Sequence, residues 1–67
     1  MPIIRVEMFK GRTPEQKKAI ARELVDGFIR GAGGGSPASF NVVFVDVEKH
    51  DWAVGHDMMS EKYPDKP

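Results

Sequence analysis

Two local signals confine this chain to one helix between two strands. Thr13-Pro14-Glu15-Gln16 opens a helix with a mechanism for each residue: Thr13 caps, Pro14 fits the first helical position, and Gln16 stands where a capping box needs it. Gly31-Ala32-Gly33-Gly34-Gly35-Ser36-Pro37 must close it, because several glycines cost about 1 kcal/mol each in a helix and Pro37 has no amide donor. Between these limits Ile20, Leu24 and Phe28 recur every four residues, and Ala21, Val25 and Ile29 widen the stripe. Lys17, Lys18, Arg22, Glu23 and Asp26 face away. The spacing predicts an amphipathic helix over residues 14–31.

The flanking segments read as strands. Residues 2–9 alternate: Ile4, Val6 and Met8 share one apolar face, and Ile3, Arg5, Glu7 and Phe9 share a mixed one that suits partial cover by another subunit. Lys10-Gly11-Arg12 breaks the pattern as a turn. Residues 40–47, Phe40-Asn41-Val42-Val43-Phe44-Val45-Asp46-Val47, form a nearly continuous apolar run, as expected of a strand covered on both faces. Strand, helix, strand predicts an α/β (α+β) architecture: a βαβ unit whose two strands are parallel and joined right-handedly. Trp52-Ala53-Val54 with Gly55 suggests a short C-terminal hairpin, and the charged, proline-containing residues 60–67 are expected to lie on a neighbour or fray.

The 67 residues allow one domain, over residues 1–67. Chains of this size usually add disulfides, a metal or subunit contacts, and the absence of cysteine excludes disulfides, thiolate zinc sites and thiol catalysis together. One helix cannot cover both faces of a two-stranded sheet, so association is the expected stabiliser. Two copies placing their sheets edge to edge make a four-stranded layer with two helices. Ten Lys plus Arg balance ten Asp plus Glu, which gives no field to attract nucleic acid or an anionic membrane. No apolar run approaches the roughly 18 residues of a membrane span, and Arg5 and Glu7 interrupt any signal-peptide core. A cytoplasmic protein is expected.

Chemistry-bearing motifs are few. The glycine run lacks the Gly-Lys-Ser/Thr of a phosphate-binding loop and precedes a strand, so it reads as a connector. His50-Asp51 and His56-Asp57 have neither helical nor zinc-binding spacing and read as solvated loop residues, and Met58-Met59 as packing. Pro2 is different. An initiator Met before a small residue is ordinarily removed, which would leave a prolyl secondary amine at the head of a strand. Burial beside cations lowers the pKa of such an amine toward the range where a neutral base exists at pH 7. Pro2 also suits the plain start of an edge strand.

Pro2-Ile3-Ile4-Arg5-Val6-Glu7-Met8-Phe9, followed by Lys10-Gly11-Arg12-Thr13-Pro14-Glu15-Gln16-Lys17-Lys18, closely resembles the opening of the 4-oxalocrotonate tautomerase family. The resemblance runs through the helix and second strand to Lys49–Gly55. It implies a βαβ subunit assembled into dimers, commonly as a trimer of dimers, a hexamer. It also implies a cofactor-free isomerase in which an amino-terminal proline moves a proton between carbons of an unsaturated 2-oxo or dienol acid. The position matching that proline is Pro2. The family arginine after the first strand matches Arg12, where a guanidinium grips a carboxylate with two hydrogen bonds. The aromatic near the hairpin, usually Phe, matches Trp52, an apolar wall that helps keep the amine neutral. The second family arginine falls at Asn41, which brings an amide donor and no charge, so a dicarboxylate loses a cation here.

The resemblance therefore assigns Pro2 and Arg12 as catalytic residues, Asn41 and Trp52 as substrate-binding residues, no metal and no cofactor. A related alternative, water addition to a haloacrylate, needs a water-activating carboxylate for which the sequence offers no evident candidate. A different class, an oligomeric binding or structural protein that kept the fold and lost the reaction, draws its support from Asn41.

Overall fold

Each element forms where local chemistry calls for it. In the computed structural model, which describes residues 2–65, β1 (Ile3–Phe9) leads through a turn to α1 (Pro14–Ala32). A 3-10 turn at Pro37–Ser39 then delivers the chain to β2 (Asn41–Val47). A second such turn at Lys49–Asp51 precedes the hairpin of β3 (Ala53–Val54) and β4 (Asp57–Met58), and one helical turn, α2 (Met59–Lys62), follows. β1 and β2 pair in parallel from Ile3 opposite Asn41 to Phe9 opposite Val47, and β3 pairs antiparallel with β4. The expected βαβ unit with a short hairpin is present.

The capping box is complete: the Gln16 amide donates to Thr13 Oγ1 at 3.1 Å and the Thr13 amide donates to Gln16 Oε1 at 2.9 Å. α1 runs one residue past the expected limit because its stop is Gly33, in the left-handed region at φ 82°. There the Gly33 and Gly34 amides both reach the Ile29 carbonyl, at 3.0 and 3.1 Å. Both long strands start one residue later than expected. Pro2 has no N–H to give a ladder, and the Phe40 amide donates at 3.2 Å to Pro37 O, closing the 3-10 turn instead.

Register sorts the sheet into two faces. Ile4, Val6, Met8, Val42 and Phe44 are half-buried on the α1 side, where Lys17 Nζ donates to Asp46 Oδ2 at 2.7 Å and Phe28 meets Phe40 edge-on at 4.9 Å between centroids. The opposite side of the sheet, where β2 is expected to be covered, is open in a single chain. Ile3 is 70% exposed there and Val43 44%. Residues 60–62, expected to lie on a neighbour or fray, extend α2, and Lys49 Nζ draws the tail back by donating to Tyr63 O at 2.8 Å and Asp65 Oδ1 at 2.9 Å. Met1 and the last two positions of the tail, 66–67, lie outside the described residues, and with them the expected removal of Met1.

Among the described residues only the apolar Met59 is buried, at 5% exposure. The radius of gyration is 15.1 Å, against about 11 Å for a compact chain of this length. The accessible surface is 5372 Å², roughly 1,100 Å² above the scaling for a folded monomer of this mass. That excess exceeds the roughly 800 Å² each partner commits to a standard interface. The apolar residues lack an intramolecular core large enough to hold them. No described helix is long and apolar enough to cross a membrane.

Candidate active site

The residues singled out from the sequence gather at the two ends of β1. At its start, the half-buried Pro2 offers its carbonyl to the Asn41 amide at 3.0 Å, which fixes Pro2 against the first residue of β2. The Asn41 side chain is exposed beside it.

At the other end, the Lys10 amide donates to Val47 O at 3.0 Å, and Gly11, at φ 134°, turns the chain toward the Thr13 cap. A glycine is required there because an L side chain rarely adopts that backbone. The turn leaves Arg12 exposed at the rim of a cleft of about 550 Å³ lined by Glu7, Met8, Phe9, Lys10, Gly11, Arg12 and Trp52. Trp52 packs on Phe9 with centroids 4.6 Å apart and planes tilted by 58°. The Met59 amide donates to Trp52 O at 2.8 Å, so α2 holds the indole in place.

Charge in the cleft is divided between bound and free groups. Lys10 Nζ donates to Glu48 Oε1 at 2.8 Å, and this hydrogen bond, with the attraction of the same carboxylate, raises the Lys10 pKa above its ordinary value. Lys10 is thus a fixed, already paired cation. Arg12 enters no ion pair among the described residues, which leaves its guanidinium available to an incoming anion. An unpaired cation beside an aromatic wall suits a small, partly apolar carboxylic acid.

One chain therefore brings Pro2 to Asn41, and Arg12 to Trp52, but does not bring the two pairs together. The seven-residue β1 lies between them, a span of roughly 23 Å at about 3.3 Å per residue. Phe9, the ring on which Trp52 rests, was not singled out from the sequence. Its place two residues before Gly11, at the strand end that opens the turn, was the available signal. His50 Nε2 lies 3.6 Å from Asp51 Oδ2 with both side chains exposed, and no three His, Asp or Glu converge among the described residues.

Comparison with known proteins places the sequence and the fold. The family model described as "Tautomerase enzyme" matches residues 2–62. A "probable tautomerase" of Ralstonia nicotianae is 40% identical over 53 residues, 79% of this chain and 80% of that protein. The "2-hydroxymuconate tautomerase" of Comamonas testosteroni is 33% identical over 54 residues, 81% of this chain and 84% of its own. The crystal structure of a 4-oxalocrotonate tautomerase homologue, 28% identical, matches with a TM-score of 0.74 over 91% of this chain and 95% of that one. With a strand, turn and capped helix in the order that family sets, and its model matched from Pro2 to Lys62, the chain belongs to the tautomerase family.

Proposed function

We propose that this protein is a cofactor-free isomerase of small unsaturated 2-oxo or dienol acids, with Pro2 as its base. The observation that carries the reading is the cleft at the end of β1, where an uncommitted Arg12 guanidinium adjoins the Phe9–Trp52 wall. Arg12 holds the substrate carboxylate by a bidentate pair. Pro2, freed of Met1, accepts a proton from the substrate through its neutral amine and returns it to another carbon, so the amine is regenerated in each cycle. The Asn41 amide donates to the developing enolate oxygen, a neutral donor where the family pattern has a cation. Trp52 limits water, and an Arg12 guanidinium brought beside the amine by a second protomer disfavours its protonated form.

The distance between the half-sites supports a complete site shared by two protomers. Two copies running antiparallel along the open edge of β1 bring Pro2 of one beside the Arg12 cleft of the other, twice per dimer. Further dimers, three in a hexamer, cover the open sheet face around Ile3 and Val43.

Complementation tests this arrangement. A chain with an uncleaved residue ahead of Pro2 lacks the base, and Arg12→Ala lacks the carboxylate clamp. Each alone should be nearly inactive toward phenylenolpyruvate-like enols. Dissociated and mixed in equal amounts, they should regain about a quarter of normal activity, since half of random dimers are mixed and each then holds one intact site. No recovery in reassociated mixtures refutes the shared site. No turnover by the processed, unaltered chain above the uncatalysed rate leaves the non-catalytic binding protein as the better reading.

A further inference from the structure

We infer that Arg5 and Glu7 form a self-complementary charge code that fixes the register in which two copies pair along β1, and so act as positioning residues for the shared site. The inference rests on the proposed antiparallel pairing and specifies its partner, a second copy of this chain, residue by residue.

The backbone narrows the choice first. Pro2 O accepts from Asn41 and the Lys10 amide donates to Val47, so the even-numbered residues of β1 point their backbone groups at β2. Ile3, Arg5, Glu7 and Phe9 therefore turn theirs to the open edge. An antiparallel copy must set these four against the same four, which requires the two-fold axis to pass through a residue and not between residues. Axes at Arg5, Val6 and Glu7 all satisfy the backbone.

The side chains separate those three. With the axis at Val6, Arg5 faces the partner's Glu7 and Glu7 faces the partner's Arg5. Each charge already has an opposite neighbour on its own strand, Arg5 Nε to Glu7 Oε1 at 3.6 Å, so the four alternate in sign around the axis. The same register lays Ile3, 70% exposed in one chain, against the partner's Phe9, on which Trp52 packs. Ile4 then meets the partner's Met8 on the α1 side. An axis at Arg5 sets Arg5 against itself, and an axis at Glu7 sets Glu7 against itself. Like charges directly opposite are destabilising, so both slips are opposed. Only the Val6 register joins opposite charges and apolar pairs together, and it puts Pro2 opposite the partner's Lys10, at the mouth of the Arg12 cleft.

Charge reversal tests the code through association, measured by sedimentation. Arg5→Glu and Glu7→Arg each place like charges opposite across the axis, and each should weaken self-association on the order of tenfold. An equimolar mixture of the two variants sets an acidic pair against a basic pair and should associate as tightly as the unaltered chain. Variants that self-associate normally, or a mixture that gains nothing, overturn the inference. Position is read independently by single cysteines, since the chain has none. Mild oxidation should link Val6→Cys to itself, because residues on the axis approach to about 4.5 Å between Cα atoms, within disulfide range. Linkage at Arg5→Cys or Glu7→Cys in preference to Val6→Cys also overturns it. A chain that associates and cross-links as expected yet turns over no oxo acid keeps the register and refutes the proposed function.

Discussion

In the proposed mechanism the two ends of β1 carry complementary halves of one chemistry. The Pro2 end holds a candidate base next to a neutral donor, Asn41. The Phe9 end holds an uncommitted guanidinium and an aromatic wall, with its other nearby cation, Lys10, already bound to Glu48. Neither end can bind an acid and move its proton. On the proposed reading the strand acts as a spacer: its length keeps the proposed base and clamp apart within one chain, so that a second chain would supply the missing half. The surface excess of roughly 1,100 Å² and the burial of Met59 alone among the described residues agree with a chain whose core is completed by other copies.

The sharpest way to break this comparison is to silence one end. Retaining a residue ahead of Pro2 turns its nitrogen into an amide with no basic lone pair. General-base catalysis contributes about 10²–10⁴-fold, and initial rates on an enol substrate should fall by that order. Pro2→Ala should lose only part of the rate, since a primary amine remains. Equal rates for processed and unprocessed chains would remove Pro2 from the mechanism. The acid limb of kcat/KM belongs to the same group. The base works only when neutral, so activity should fall as pH drops through the amine pKa. Lys10 cannot mimic that limb: its raised pKa keeps it charged throughout the neutral range, and that charge is lost only as pH rises through the raised value.

Silencing the opposite end should cost less. A hydrogen bond to a charged group is worth about 1.5–3 kcal/mol, so Arg12→Ala should lower kcat/KM by about 10- to 150-fold. A rise in KM alone marks a clamp that holds ground and transition states equally, and a fall in kcat marks one that tightens as charge develops. Unchanged kcat/KM on every 2-oxo acid tested would place the carboxylate elsewhere. Steady-state kinetics on one monocarboxylic enol decides among the three.

Much of the fold was legible because its signals are local. Thr13 and Gln16 satisfy each other's amides across three residues, and Gly33 terminates α1 by its own φ, so the helix needed no tertiary information. The turns at Pro37–Ser39 and Lys49–Asp51, and α2, were not foreseen. One-turn elements are held by contacts from outside themselves: the Met59 amide on Trp52 O and Lys49 Nζ on Tyr63 O have no signature in residue spacing. For the candidate site, the resemblance pointed to Pro2, Arg12, Asn41 and Trp52 along the chain but not to their division into two pairs. A motif records order, whereas the division is a distance, set by the extended backbone between Pro2 and Arg12. Phe9 escaped notice for a similar reason, since its role depends on a ring delivered by a segment more than forty residues later.

The aromatic wall offers an intermediate effect. Aromatic pairs contribute about 0.5–1.5 kcal/mol beyond the area they bury. Trp52→Ala should therefore reduce kcat/KM by about 2- to 13-fold and also lower the melting temperature, because α2 hangs from the Trp52 carbonyl beside that ring. Trp52→Phe should restore most of both. If Phe restores the melting temperature and none of the activity, the indole itself touches substrate, and the wall is more than a filler.

The smallest expected effect bears on the Pro2 end, where the missing cation can be supplied. Asn41 begins β2 with an exposed side chain, and its backbone amide, not its carboxamide, holds Pro2. Asn41→Arg should thus leave the strand register and the Pro2 contact intact while adding a charge beside the base. Two separable consequences follow. A dicarboxylic enol gains a second anchor, worth about 0.2–1 kcal/mol at an exposed site, so its kcat/KM should rise by less than about fivefold, whereas a monocarboxylic enol should gain nothing from that anchor. The added cation also disfavours the protonated amine, shifting the acid limb of both substrates to lower pH. Measuring the two substrates side by side across pH separates these terms, because only the anchoring term distinguishes them. A gain confined to the dicarboxylate, with a common shift of the acid limb, puts Asn41 at the second carboxylate position. Equal gains for both substrates at neutral pH restrict its influence to the amine, and no change in either places position 41 outside the completed site.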